Sequence, residues 1–233
     1  MDYQGNELEL FASATNWKAY FGHFMRPFLK GHVLEVGAGK GGTTAILCDG
    51  SQKRWLCLEP DGNLARLIQK NVENGSLPGC CSVLAGTLAD VGETEKFDSI
   101  LYIDVLEHIM NDKEEIKKAA IHLNPGGSLI VLVPSCPWLF SPFDESLGHF
   151  RRYTRKSLRA AVRPGLEEVL LLNLDSAGLF ASAANRLLLR QSMPTSGQVQ
   201  LWDKKLVPVS RITDRVTGFT AGKSILGIWR KID

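Results

Sequence analysis

Val33-Leu34-Glu35-Val36-Gly37-Ala38-Gly39-Lys40-Gly41-Gly42 passes from apolar residues through an acid into a glycine-rich turn. A run this short, followed by glycines and then by Thr43 to Leu47, reads as a buried strand entering a helix through a tight loop. Glycine has no Cβ to block positive φ or close contact, so the amides of such a loop can lie against a ligand. The same grammar repeats downstream. Apolar runs near 32–36, 54–58, 81–85, 97–103 and 127–133 alternate with helical patterns near 41–48, 61–74 and 111–123, where Asp61 can cap the second helix and Asn111 or Asp112 can start the third. Residues 166–174 and 224–230 read as a sixth and a seventh strand. Strand-helix alternation predicts an α/β fold, a mostly parallel doubly wound sheet with helices on both faces. Ligands in such sheets sit at the carboxyl ends of the strands, near the switch in strand order.

Two ligand classes compete for the loop. Gly37, Gly39 and Gly42 satisfy the G-x-G-x-x-G dinucleotide spacing, with Glu59 about twenty residues on, so a nicotinamide-dependent oxidoreductase is one reading. Glu35 argues against it. A carboxylate at the strand exit repels a pyrophosphate and favours a ligand carrying an ammonium and a sulfonium. Lys40 is the counterweight, although a loop lysine is more often solvated.

At this point the chain resembles the class I S-adenosylmethionine-dependent methyltransferases, of the small-molecule bacterial type. Glu35 to Gly41 match the E-x-G-x-G-x-G signature. Leu56-Cys57-Leu58-Glu59-Pro60, Ala85-Gly86-Thr87, Phe97 to Ile109 and Leu123 to Val131 follow in the family's order over residues 32–135. Asp144-Glu145-Ser146-Leu147-Gly148-His149-Phe150-Arg151-Arg152-Tyr153-Thr154 resembles a run of bacterial members. The resemblance implies a Rossmann-like sheet of seven strands with the last antiparallel, and S-adenosylmethionine as cofactor.

It also implies roles. Glu35, Gly37, Ala38, Gly39 and Gly41 would serve the methionine end of the cofactor, and Glu59 the two ribose hydroxyls, since a carboxylate offers two acceptor oxygens. Pro60 would shape the adenosine wall, with Gly86, Thr87 and Leu88 at the adenine, where many relatives carry Asp in place of Thr87. Asp104 and Val105 complete the cofactor set, and Leu106 lines the adenosine cavity. His108, just beyond the fourth strand, titrates in the range suited to proton abstraction, and His149 is the second candidate base. Each has a plainer reading, as a helix-orienting histidine or an anion-binding one. Tyr20, Trp138, Arg152 and Tyr153 are the acceptor-binding candidates. Catechol-type relatives hold a divalent cation with clustered acids and an amide, whereas only scattered carboxylates follow the fourth strand, so no metal is expected.

Composition sets the outer bounds. At 233 residues and 44% hydrophobic, one domain over 1–233 is expected. It divides into a helical cap (1–30) whose aromatic residues from Phe11 to Phe28 read as core or as a cofactor or substrate lid, a cofactor-binding core (31–135) and an acceptor-side half (136–233). In that last half, 175–223 is too long for a plain connection. Leu179 to Leu188 mark one helix in it, and Leu201 to Val216 a second, broken at Pro208. It is read as an acceptor cover, a homodimer surface or extra core. A charge of +2 shows no basic excess of a nucleic-acid binder. Five cysteines without a C-x-x-C pair suit a reducing compartment, and Cys80 and Cys81 read as small apolar packers. With no signal sequence or membrane span in view, a cytoplasmic protein acting on a small-molecule acceptor is expected. The remaining alternative is a fold that binds the cofactor without turnover.

Overall fold

The computed structural model describes residues 7–162, 165–184 and 194–232. Seven strands form one sheet: β1 (His32–Val36), β2 (Arg54–Glu59), β3 (Cys81–Ala85), β4 (Phe97–Ile103), β5 (Leu123–Pro134), β6 (Leu166–Leu174) and β7 (Ser224–Lys231), in the order β3-β2-β1-β4-β5-β7-β6. β1 to β5 pair in parallel, and β7 inserts antiparallel between β5 and β6. Strand order reverses across β1 and β4, which opens a crevice at their carboxyl ends.

The central strands are buried on both faces, which is why they read as unbroken apolar runs. Val33, Trp55, Cys57, Leu101 and Ile130 belong to one core layer, and Leu34, Leu58, Ile100, Tyr102 and Val131 to the other. Helix α2 (Thr15–Met25), after the single turn α1 (Glu7–Leu10), covers the first layer with Trp17, Phe21 and Met25.

Helices α3 (Thr44–Leu47), α4 (Gly62–Glu73) and α5 (Asp112–His122) follow β1, β2 and β4. Asp61 caps α4 through its side chain, accepting from the Asn63 and Leu64 amides, as the sequence predicts. Helix α3 is shorter than the expected 41–48, because Gly41 sits at φ +77° and Cys48 turns the chain extended. Helix α5 starts at Asp112, one of the two expected residues, with Asn111 in the cap position making no side-chain hydrogen bond and Asp112 accepting from the adjacent Lys113 amide.

Past β5 come α6 (Pro142–Ser146) and α7 (Arg155–Val162), then beyond β6 the insertion with α8 (Ser176–Ala184), α9 (Ser196–Leu201) and α10 (Val207–Val216). Pro208 does not break this last segment. It lies in the first turn of α10, where its missing N–H is not needed, and a π-helical stretch, Trp202–Leu206, joins α9 to α10. Leu187 and Leu188 lie outside the described residues.

The insertion clamps the N-terminal helix. Asp203 accepts from the Trp17 amide (2.9 Å) and from the Asn16 amide (3.3 Å), filling the cap that Ala14 cannot supply. Tyr20 donates to Asp214 (2.9 Å), which also takes the Asp175 and Ser176 amides. No helix among the described residues is long and apolar enough to cross a membrane.

Candidate functional site

The glycine turn leaves β1 and leans on β2, with the Gly37 and Ala38 amides both bonded to the Leu58 carbonyl. Gly37, Gly39 and Gly41 hold φ of +70°, +58° and +77°. At Gly37 a Cβ would stand 2.5 Å from a Val105 methyl, so the turn closes against the residue after Asp104 only because Gly37 lacks a side chain. Glu59 lies at the centre of this edge. Its two oxygens accept from the Gly39 amide (2.7 Å) and the Asp61 amide (2.9 Å), and its backbone carbonyl takes the Gly86 amide.

Glu35 is 3% exposed and uses one oxygen for both the Thr44 hydroxyl (2.6 Å) and the Trp55 indole N–H (2.8 Å). Burial pushes its carboxyl up to about 7, against those two hydrogen bonds. The premise of a fixed anion at the strand exit is corrected accordingly: Glu35 sits near half-ionisation at neutral pH. Lys18 of α2 is a cation that sequence reasoning missed here. Its ammonium lies 3.1 Å from where a Gly42 Cβ would be, and burial lowers its pKa while Asp203 and Glu35 oppose that.

Beyond β4 the chain turns at Asp104 (φ +52°) into a single 3-10 turn, Leu106–His108. There the His108 ring meets the His149 ring edge to face, centroids 4.5 Å apart. Asp144 of α6 holds His149 through Nδ1 (3.0 Å), and is itself gripped by Arg152 Nε (2.8 Å) and Nη2 (3.1 Å) and by the Ser141 hydroxyl. Burial opposes ionisation of Asp144, but His149 and Arg152 prevail and hold it well below the usual carboxylate range. The His149 side chain is 7% exposed, and its Nε2 has no hydrogen-bond partner among the described residues. His108 is pushed down to about 4 by burial and then by His149, so it is neutral at physiological pH. Glu107, His108 and His149 each bring one metal-ligating atom within 4.8 Å of the others. The fold thus gathers groups that look scattered in the sequence.

A methyltransferase-domain family model matches residues 13–164. The chain belongs to the class I S-adenosylmethionine-dependent methyltransferases. Its cofactor is S-adenosylmethionine, and the nicotinamide alternative falls with that assignment. No curated protein sequence matches the methyltransferase significantly. Solved structures similar to it include geranyl diphosphate methyltransferase in complex with SAM, at 12% identity, TM-score 0.68, covering 98% of this chain and 91% of that one. The [4+2]-cyclase SpnF matches at 14% identity and TM-score 0.65, covering 98% and 94%. The N-methyltransferase NodS from Bradyrhizobium japonicum matches at 15% identity and TM-score 0.58, covering 94% and 97%. At these identities the likeness is one of fold, and a cyclase among the matches shows that the fold alone does not fix the chemistry.

The other sequence candidates divide within the methyltransferase. Pro60 is exposed beside Glu59, and Leu88, next to Thr87 in the chain, is buried. Thr87 is engaged by Asp90, whose carboxylate accepts from its amide (2.8 Å) and hydroxyl (3.1 Å). Asp90 therefore brings an acid to the place where Thr87 departs from the family pattern, three residues later than expected. Trp138 is exposed, while Arg152 is bound to Asp144. Tyr20 and Tyr153 are corrected as acceptor contacts. Tyr20 is 4% exposed with its hydroxyl on Asp214, and Tyr153 is 1% exposed with its hydroxyl on Asp112 (2.8 Å) and the Leu106 carbonyl. Arg151 is not a loose surface charge either, since it donates to the Ile109 and Met110 carbonyls and pairs with Asp112.

Proposed function

We propose that this methyltransferase moves the methyl group of S-adenosylmethionine onto an oxygen or nitrogen of a small-molecule acceptor bound at the His108–His149 edge. The observation that carries the acceptor side is the His149 side chain: buried, fixed at Nδ1 by Asp144, and with Nε2 unpartnered beside the carboxyl end of β4. A protonated nucleophile must lose its proton to attack, and a lone pair held in place is the feature that such a step uses. His108, held near 4, is a weak base, so the acceptor's proton leaves on the His149 side of the pair.

The cofactor supplies an electrophilic methyl carbon on a sulfonium. In this reading Glu35 and the Gly37, Ala38, Gly39 and Gly41 backbone meet its methionine end, with Lys18 available to the carboxylate. Glu59 exchanges its bonds to the Gly39 and Asp61 amides for the ribose hydroxyls. Gly86, Thr87, Leu88 and Pro60 flank the adenosine, and Asp104 and Val105 close the floor between the two ligands. Alignment and water exclusion then supply most of the acceleration, because the displacement needs nucleophile, carbon and sulfur in line. The insertion covers the acceptor while clamping α2, and one domain carries both ligands. The near-neutral charge supports a small acceptor over a polyanion, and five free cysteines, three of them buried, support a reducing, cytoplasmic setting.

Transfer of labelled methyl groups to a panel of phenols, carboxylic acids and amines tests the reading. H149A should lower turnover at least about 100-fold while S-adenosylhomocysteine affinity stays within about twofold. Equal turnover in H149A and the unaltered protein would remove the acceptor-side assignment.

A further inference from the structure

We propose that Glu107, His108 and His149 form a binding site for one divalent first-row transition-metal ion that activates the acceptor. This rests on the reading of the edge as the acceptor's side, and it supplies the means of deprotonation. One ligand atom from each residue lies within 4.8 Å of the other two. Ligands about 2.0–2.2 Å from a common ion stand roughly 3–4.4 Å apart, so a movement of under about 1 Å closes the set.

The arrangement behind the ligands argues for an ion more strongly than proximity does. Metal-binding histidines almost always give their other ring nitrogen to a carboxylate or a backbone carbonyl, which fixes tautomer and orientation. Both histidines here do so: His149 through Nδ1 to Asp144 at 3.0 Å, and His108 to the Leu147 backbone. Arg152 and Ser141 anchor Asp144 in turn. His149 Nε2 is left buried with no protein partner among the described residues, a cost that an ion at that lone pair removes. Two imidazoles and one carboxylate favour zinc, iron, cobalt or manganese over magnesium and calcium, which prefer all-oxygen sets. Three protein ligands leave positions open for an acceptor.

On this site the acceptor's oxygen or nitrogen binds the ion, and its O–H or N–H proton leaves to water. The freed lone pair forms the bond to the methyl carbon, and the carbon–sulfur pair returns to sulfur, neutralising the sulfonium. His149 then holds the ion and does not carry the proton itself.

A second thiophilic group must be kept apart in the test. Cys48 lies 3.5 Å from Cys80 and 3.7 Å from Cys81 through sulfur, where α3 ends and β3 begins, at the opposite end of the strands.

Cobalt(II) is titrated into the chelator-stripped full chain and followed by its visible d–d bands, with S-adenosylhomocysteine calorimetry as the check of folding. One equivalent without thiolate charge-transfer absorption is expected to bind. H149A and E107Q should each weaken it at least about 100-fold, and D144N, which removes only the charge behind His149, about 10–100-fold. C48S should leave it unchanged, and adding cobalt(II) or manganese(II) back to the stripped protein should restore methyl transfer. Binding that survives in both H149A and E107Q, or that disappears in C48S, would overturn the site. Full turnover in the stripped protein would overturn it too, and if H149A is then still inactive, His149 is left as the base and the methyltransferase reading stands.

Discussion

Glu35 links cofactor binding to pH. In the free protein its buried carboxyl is pushed up to about 7. An ammonium fixed beside it stabilises the ionised form and returns it toward the ordinary value of about 4.3. Binding then releases a proton, close to 0.9 per site at pH 6 by the difference in occupancy of the two states. The same two values make affinity rise about twentyfold between pH 5.5 and 7.5. Stability of the free protein moves in the opposite direction. A carboxyl whose folded pKa is raised contributes stability that is fully present below its unfolded value and is lost as pH rises through about 7. Calorimetry of S-adenosylhomocysteine across that range, in two buffers of different ionisation enthalpy, reads both affinity and proton release. E35Q keeps the shape of the group, removes its titration and should flatten the profile. A flat profile in the unaltered protein, or an identical slope in E35Q, would refute the assignment of Glu35 to the ammonium.

D203A should cost about 2–4 kcal/mol, because it uncaps α2 and strands the buried amide of Trp17 and the half-buried amide of Asn16. In a chain of this size that is a fall in Tm of roughly 4–8 °C by calorimetry, and an unchanged Tm would remove the clamp between insertion and helix. G37A meets both the positive φ and the Val105 methyl, so S-adenosylhomocysteine should bind at least about tenfold more weakly. Equal affinity in that variant would show that the turn can open without loss.

Most of the sheet was legible because its signals are local. β1, β3, β4 and β6 have the predicted bounds, since short apolar runs ended by glycine or acid leave little room for other readings. The Asp61 cap was equally visible, as its partners are two and three residues away. Pairings between distant residues were not visible. Asp203 caps a helix 186 residues earlier, and Tyr20 meets Asp214 across 194, so the aromatic spacing of α2 could suggest an acceptor contact that the buried hydroxyl does not make. Glu107 and His108 stand side by side in sequence, but their juxtaposition with His149 depends on α6 folding back over the end of β4. The charge of Glu35 in the free protein was overestimated for a related reason. A sequence shows a carboxyl group but not the burial that decides its charge.

A crystal structure with S-adenosylhomocysteine bound tests the central claim most directly. The account predicts ribose hydroxyls on Glu59, adenine beside Gly86 and Thr87, the amino group at Glu35, and sulfur directed at the His108–His149 pair. Nucleoside density elsewhere, or sulfur turned away from those two rings, would contradict it.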